Sequence, residues 1–302
     1  MNVGLEVLLG ENGALGRPPR YAEIRDLALR SEAAGFDSLW LYDHLLYRDA
    51  RGAPHGIWEG WTMLSALAEA TTRAEIGLLV ACTAFREPAL LAKMAATLDE
   101  VSGGRFTLGL GAGWNQAEFA AFGLAFDHRV GRFEEALQII APLVRRGQVA
   151  FEGAYHATPG CEILPRGPRP AGPPILIGGV GPRMLRLVAR YADSWNGGYV
   201  ATPHDLDGLR AALARACAEV GRDPATLAVT AELKVAYPDL APAPPLFADR
   251  YATGSAEDVA AAFHAFDEAG FATLMCTCLP NTPQGVERLG AALEIYRRGR
   301  GE

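Results

Sequence analysis

Asp43 and His44 end an apolar stretch with the pattern of a buried strand, SLWLYDHLLY at 38–47. The unperturbed pKa of a histidine side chain is near 6.5, so an imidazole at a pocket mouth can give or take a proton at neutral pH. Consecutive strand residues point to opposite faces, so Asp43 can orient the loop without touching the imidazole. His44 is therefore a candidate acid or base, and the alternative is a hydrogen-bonded strand-end residue without a chemical role.

Three further strand ends are rich in glycine, which lets a backbone approach a ligand closely. They lie at 109–113, 178–181 and 196–198. In the second, Pro182 is the expected first residue of a helix. Free backbone N–H groups and the helix dipole would make an anion site there, suited to a phosphate. The GxGxG at 109–113 lacks the spacing and the later acidic residue of a dinucleotide-binding fingerprint, so we reject a Rossmann interpretation.

Several polar and aromatic residues follow the glycine-rich stretch at 109–113. Trp114 has two open interpretations, core packing or stacking against a flat ring. The charged residues further along the chain are predicted to form ion pairs at the surface or between helices. These residues are Glu118, Arg129, Arg132 and Glu134.

Short β-branched or leucine-rich stretches alternate with amphipathic helical patterns along the whole chain. Two junctions, at 32–40 and 267–275, place a glycine suited to a helix end directly before an apolar strand. There is no composition break or Gly/Ser linker, so the alternation predicts one (β/α)8 barrel domain over residues 1–302. The strands are predicted near 2–9, 36–42, 75–82, 105–111, 174–178, 193–197, 227–236 and 272–278.

Helices are predicted over about 128–146 and 255–269, and Pro142 predicts a kink or an early end of the first one. Two segments interrupt the alternation. Residues 147–173 predict a short hairpin followed by a proline-rich connector. Residues 237–250 form a second proline-rich insertion, which is either a binding loop or a disordered surface loop.

Composition narrows the class of partner. The 302 residues are 50% hydrophobic with a formal net charge of −7, which predicts neither nucleic-acid nor anionic-membrane binding and favours a small-molecule substrate. No stretch approaches the roughly 20 apolar residues of a membrane span, and no basic leader is evident, so we expect a cytoplasmic protein.

Five cysteines without CxxC spacing predict neither disulfides nor a zinc site. Cys276 and Cys278 are expected to be buried thiols on one side of a strand.

Taken together, three stretches resemble the luciferase-like monooxygenase superfamily, which comprises flavin- and deazaflavin-dependent (β/α)8 oxidoreductases. The resemblance covers nearly the whole chain and is greatest to the branch that uses coenzyme F420. Its motifs occur here in the family's order and spacing. They are GFDSLWLYDHL at 35–45, IGLLVACTAFREPALLAKMAATLDEVSGGRFTLGLGAGWNQAEFAAFG at 76–123 and PPILIGGVGPRMLRLVARYADSWN at 173–196.

This resemblance implies hydride transfer between coenzyme F420 and a small organic substrate, with reduction of a C=C, C=O or C=N bond or the reverse oxidation. His44 would be the proton donor, the cofactor ring would lie in the barrel mouth, and a non-prolyl cis peptide would fall at Leu79-Val80. Relatives are often dimers, so a homodimer is expected. The implied cofactor-binding residues are Asp43, Leu79, Val80, Cys82, Ala112, Gly113, Trp114, Gly178, Gly179, Val180 and Gly181.

Two other functions stay open from sequence. One is an FMN-dependent monooxygenase that uses reduced flavin and oxygen, and the other is a cofactor-binding barrel without catalysis. Trp114 stands where some sugar-phosphate dehydrogenases of the branch carry a carboxylate, and basic residues for a substrate phosphate are not evident in the later loops. Sugar-phosphate oxidation is therefore not expected. Glu87 replaces a frequent histidine, and we have no functional account of that change.

Overall fold

The computed structural model of the protein describes residues 1–11, 14–48, 51–242 and 251–301. Most of the strands belong to one large parallel sheet, and two small antiparallel pairs lie outside it. The strands are β1 (Asn2–Glu6), β2 (Ser38–Leu41), β3 (Tyr47–Arg48), β4 (Pro54–His55), β5 (Glu75–Leu78), β6 (Ala81–Cys82), β7 (Phe106–Gly111), β8 (Gln148–Glu152), β9 (Ala157–Glu162), β10 (Ile175–Gly178), β11 (Ser194–Tyr199), β12 (Ala228–Ala236), β13 (Tyr251–Ala252) and β14 (Thr273–Leu279).

Eight of these strands close into a parallel barrel, in the order β1, β2, β5, β7, β10, β11, β12, β14 and back to β1. All eight correspond to the strands expected from sequence, so the predicted (β/α)8 fold is confirmed. Short β6 pairs with the end of β7 and extends that wall of the barrel.

Burial explains why these segments form barrel strands. Every residue of β7 is buried, as expected for a parallel strand covered on both faces. Gly109 allows a close approach of β7 to the end of β5, because a Cβ there would be 1.9 Å from the carbonyl oxygen of Leu78. Cys276 and Cys278 on β14 are both fully buried, which confirms their prediction as core thiols.

Helices cover the outside of the barrel, and both helices predicted from sequence are confirmed. Pro142 does not end α5 early, so that alternative is wrong. Leu143 and Val144 beyond it are buried, and this tertiary packing outweighs the loss of one backbone donor. The helices are α1 (Tyr21–Ala33), α2 (Gly60–Ala70), α3 (Pro88–Val101), α4 (Gln116–Ala121), α5 (Arg129–Arg146), α6 (Pro182–Tyr191), α7 (Asp207–Glu219), α8 (Ala256–Glu268) and α9 (Pro283–Arg300).

Of the two insertions, the first is a hairpin as predicted, formed by antiparallel β8 and β9 ahead of the proline-rich connector. In the second, positions 243–250 lie outside the described residues, and β13 directly after them pairs with β12. Within the described ranges, none of the helices has both the length and the apolar character needed to cross a bilayer.

Candidate active site

A cavity of about 1000 Å³ opens at the carboxyl ends of the barrel strands. Parallel strands bring their carboxyl ends to one mouth, so residues distant in sequence meet there. All the site residues predicted from sequence line this cavity. They are Asp43, His44, Leu79, Val80, Cys82, Ala112, Gly113, Trp114, Gly178, Gly179, Val180 and Gly181.

His44 stands in this cavity directly after β2. Its Nδ1 lies 3.0 Å from Oε1 and 3.2 Å from Oε2 of Glu118. The ring is flanked by Tyr47 and Trp114, with centroid distances of 4.5 and 5.4 Å. Nδ1 is therefore engaged by a carboxylate, and Nε2 is the ring nitrogen left for a ligand.

The ion-pair prediction for the charged residues after β7 is only partly correct. Arg132 and Glu134 pair with Asp127 and Arg183, as expected of surface residues. Glu118, in contrast, is 1% exposed and lines the cavity. Its predicted role was wrong because its partner, His44, is 74 positions earlier in the chain.

Arg129 also departs from its prediction. It donates to the carbonyl oxygen of Gly113 at 2.6 Å and packs over the ring of Phe126 at 4.2 Å, so it supports the cavity wall. Trp114 is 64% exposed, which rules out core packing. The Trp114 indole covers one edge of the His44 ring at the cavity mouth.

Asp43 connects the end of β2 to β6 and to Arg86. Its carboxylate accepts hydrogen bonds from the Arg86 guanidinium at 2.7 and 3.1 Å and from the backbone N–H of Cys82 at 2.9 Å. Burial raises the pKa of the Asp43 carboxyl, and the Arg86 charge opposes that rise. Both Asp43 oxygens are thus occupied, which supports an orienting role for this side chain.

The peptide bond between Leu79 and Val80 is cis, as the family resemblance implied. Val80 then packs closely against glycine backbone, because a Cβ on Gly111 would lie 2.5 Å from its Cγ2. Cys82 follows at the end of β6. Burial raises the pKa of its thiol to about 12, so this cysteine is neutral at physiological pH and contributes shape rather than a nucleophile.

The glycine-rich stretch after β10 leads directly into α6. Gly181 is the N-cap of that helix and provides no side-chain hydrogen bond to the first-turn N–H groups. A Cβ added to Gly181 would meet nothing within 4 Å, so the missing side chain leaves open space at the helix start. This arrangement suits a phosphate, as the sequence predicted.

A second polar cluster that lines the cavity was missed from sequence. Oε2 of Glu6 on β1 accepts hydrogen bonds from the hydroxyls of Tyr199, at 2.7 Å, and Thr277. Glu232 and Lys234 on β12 line the same region. Burial, followed by the nearby Glu6 charge, raises the pKa of Glu232 to about 8. Four of these five residues lie within predicted strands, where the strand-end pattern does not identify them, and Tyr199 lies two positions beyond the predicted strand 193–197.

The chain is similar in sequence to curated proteins of known activity. The chain is 32% identical over 174 residues to 5,10-methylenetetrahydromethanopterin reductase of Archaeoglobus fulgidus, covering 58% of this chain and 48% of that protein. It is 34% identical over 185 residues to F420-dependent glucose-6-phosphate dehydrogenase of Amycolatopsis mediterranei, covering 60% and 53%. The chain thus spans about half the length of these curated relatives.

A solved structure has the same fold. An F420-dependent secondary alcohol dehydrogenase in complex with an F420-acetone adduct superimposes with a TM-score of 0.82 at 21% identity, covering 98% of this chain and 99% of that one. The sequence model of luciferase-like monooxygenases matches residues 1–241. With the barrel, the cis peptide and the strand-end motifs described above, this match shows that the chain belongs to the luciferase-like monooxygenase family.

Proposed function

We propose that this chain is an oxidoreductase that uses coenzyme F420 to transfer a hydride to or from a small organic substrate. The observation that carries the proposal is the placement of His44 in the same cavity as the open helix start at Gly181. The names of curated relatives, which include an F420-dependent dehydrogenase, support the choice of cofactor.

The cavity residues fit a deazaflavin cofactor. The backbone of 178–181 would hold its phosphate at the N-terminus of α6. The wall formed by Leu79, Val80 and Gly113 would support its flat ring, because Gly113 has no side chain to project into the space for the ring. The volume of about 1000 Å³ leaves space for a substrate beside the ring.

When bound, the reduced deazaflavin supplies a hydride to an electrophilic carbon of the substrate, and the oxidised form accepts one in the reverse direction. In the reduction, we assign to His44 the delivery of a proton from Nε2 to the atom at the other end of the C=C, C=O or C=N bond. Two electrons and two hydrogens are thereby added to the substrate. Trp114 and Tyr47 flank His44 and limit the access of water.

The proposal is tested by replacing His44 with alanine. We expect cofactor affinity to change little, since the phosphate and ring contacts are made elsewhere. We expect turnover to fall about 10²- to 10⁴-fold, the usual contribution of a general acid. The measurements are a titration followed by tryptophan fluorescence and a single-turnover assay of reduced F420 with a panel of enones, ketones and imines.

His55→Ala is the matched control, because His55 also pairs with a glutamate, Glu11, but lies outside the cavity. It should leave both measurements unchanged. Full turnover in His44→Ala would show that the assigned acid is wrong. Preferential binding of FMN over F420 by the unmodified protein would favour the monooxygenase alternative. Tight F420 binding without hydride transfer to any panel member would favour a non-catalytic barrel.

We also propose that the protein forms a homodimer, on the basis of its family resemblance. Light scattering of the purified protein over a range of concentrations measures the mass directly. A mass of one chain at every concentration would contradict the dimer.

A further inference from the structure

Glu118 and His44 form the closest pairing of a carboxylate and an imidazole within the cavity. Nδ1 of His44 lies within 3.2 Å of both carboxylate oxygens of Glu118. Glu118 is on α4 and His44 follows β2, so the contact joins two separate βα units. A pairing across 74 positions of sequence reflects the tertiary fold and not local helix chemistry.

The carboxylate of Glu118 also organises the backbone beside His44. Its Oε2 accepts the N–H groups of Leu45 at 3.0 Å and Leu46 at 3.4 Å. Asn115, just before α4, donates to the carbonyl oxygen of Leu46 at 2.8 Å. The segment that carries His44 is therefore held from several sides, and the imidazole has little freedom to rotate away from Glu118.

We propose that Glu118 is a positioning residue that holds His44 with Nδ1–H toward the carboxylate and Nε2 toward the cavity. An ionised carboxylate has only acceptors, so it selects the imidazole form in which Nδ1 carries the proton. It also stabilises the imidazolium that exists before the proton leaves Nε2. This role rests on the proposed function of His44, because the pairing would otherwise have only a structural effect.

Burial strengthens the effect of this contact. Glu118 is 1% exposed and His44 is 13% exposed by side chain, so water competes weakly for the hydrogen bond. The rings of Tyr47 and Trp114 also contact the imidazole, with centroid distances of 4.5 and 5.4 Å. Removing the carboxylate would leave the orientation of His44 to aromatic contacts, which do not discriminate between the two ring nitrogens.

The first test uses the unmodified protein with F420 bound. Nitrogen-15 NMR of histidine-labelled protein distinguishes the two neutral tautomers, and the signal of His44 is identified by its loss in His44→Ala. We expect the form protonated at Nδ1. A dominant form protonated at Nε2 would overturn the proposal without any change at Glu118. Because this readout does not depend on turnover, it fails separately from the proposed function.

The second test replaces Glu118 with glutamine, which keeps the size and an acceptor oxygen but removes the charge. We expect turnover to fall at least about tenfold, as for other groups that orient a reacting side chain, with F420 affinity within about threefold of the unmodified protein. The tautomer signal of His44 should become mixed. Turnover within twofold of the unmodified protein would contradict the proposal.

Glu135→Gln is the matched control. Glu135 also holds a loop, because its carboxylate accepts the N–H groups of Ala154, Tyr155 and His156 at 2.8 to 2.9 Å, but it does not contact His44. We expect Glu135→Gln to lose stability without losing turnover. Equal losses of turnover in the two variants would indicate that Glu118 acts only as a loop anchor.

The NMR measurement on the unmodified protein keeps the proposal testable if Glu118→Gln does not fold, and a third measurement tests the role of the charge by chemical rescue. Glu118→Ala leaves a gap beside His44 that opens to the cavity. Formate is a carboxylate small enough to enter it, so we expect added formate to restore part of the lost turnover. Formamide has the same shape without the charge and should not. Equal effects of the two additives would overturn the proposal.

Discussion

Arg86 donates hydrogen bonds to both carboxylate oxygens of Asp43, from Nη1 at 2.7 Å and from Nη2 at 3.1 Å. Asp43 is 3% exposed, so the pair is buried. Arg86 also bonds to Glu59 and packs over the ring of Trp61 at 5.4 Å. This network joins the ends of β2 and β6, which border the cavity, to the start of α2.

Removing one partner of this buried pair is predicted to destabilise the fold strongly. In Arg86→Met the Asp43 carboxylate stays buried without its cation, which should lower the free energy of unfolding by about 3 to 5 kcal/mol. Urea denaturation measures the loss. Arg17→Met breaks an exposed pair with Glu23 and should cost no more than about 1 kcal/mol. Similar losses in the two variants would show that burial does not strengthen the Asp43 pair.

The raised pKa of Glu232 predicts a pH dependence of stability. The carboxyl has a pKa of about 8 when folded and an ordinary value of 4.5, so the folded state binds more protons between these values. Stability should therefore fall as pH rises across that range, by at most about 1.4 kcal/mol per pH unit. We expect Glu232→Gln to flatten this dependence in urea denaturation at a series of pH values.

The control for that series is Glu162→Gln, which alters an exposed glutamate outside the barrel. It should follow the pH dependence of the unmodified protein. Both variants retain the other charged and titratable groups near Glu232. These groups therefore contribute equally to the two pH series. They are Glu6, Tyr199, Lys234 and His44. A pH dependence in Glu232→Gln identical to that of the unmodified protein would contradict the prediction.

Alanine variants at Gly113 and Gly123 distinguish the cost of backbone strain from the cost of steric crowding at the cavity wall. Gly113 has φ +76° and Gly123 has φ +69°, so alanine at either costs about 1 to 2 kcal/mol for the left-handed conformation. At Gly113 the new Cβ would also lie 2.6 Å from Sγ of Cys82, whereas at Gly123 it meets nothing within 4 Å.

We therefore expect Gly113→Ala to lose about 1 to 3 kcal/mol more than Gly123→Ala, the usual cost of overpacking. It should also weaken F420 binding, because the cavity wall must move. Thermal denaturation and a cofactor titration measure the two effects. Equal stability of the variants would show that the wall near Cys82 relaxes freely.

A carboxylate at position 181 is predicted to reduce cofactor binding without harming the fold. Gly181 has φ −72° and open space around its Cβ position, and aspartate is a favourable helix N-cap. Its negative charge would repel the cofactor phosphate and compensate the positive end of the helix dipole, whose interaction with an anion is worth up to about 2 kcal/mol. We expect Gly181→Asp to bind F420 about tenfold or more weakly by equilibrium titration.

Gly181→Ser is the uncharged control and should bind F420 nearly as well as the unmodified protein. The phosphate-free deazaflavin riboside should bind equally to all three proteins, because it has no group at this position. If Gly181→Asp weakened both ligands alike, the phosphate would have to lie elsewhere in the cavity.

The barrel could be predicted from sequence because its signals are local. Gly35 and Gly270 follow helices in the left-handed conformation, with φ +93° and +79°, directly before buried strands. Helix-ending glycines of this kind, each followed by an apolar strand, identify βα units without knowledge of distant contacts. The single domain over 1–302 and the homodimer stay predictions.

The site was predictable only where chemistry sits just after a strand. The strand-end rule placed His44, the glycines of 178–181 and their neighbours in one cavity, and all of them line it. The same rule missed Glu6 and Glu232, which lie inside strands and face the barrel interior near its mouth. It also missed the role of Glu118, because a glutamate in the first turn of a short helix resembles a solvated residue in sequence.

The sequence by itself therefore determined the alternation of strands and helices, the glycine-rich segment suited to a phosphate and the identity of the imidazole at the barrel mouth. Only the tertiary structure decided which carboxylates are buried and what they contact. The physical reason is that strand and helix patterns depend on neighbours a few residues away. The partners of Asp43, Glu118 and Glu232 are brought together only when the barrel closes.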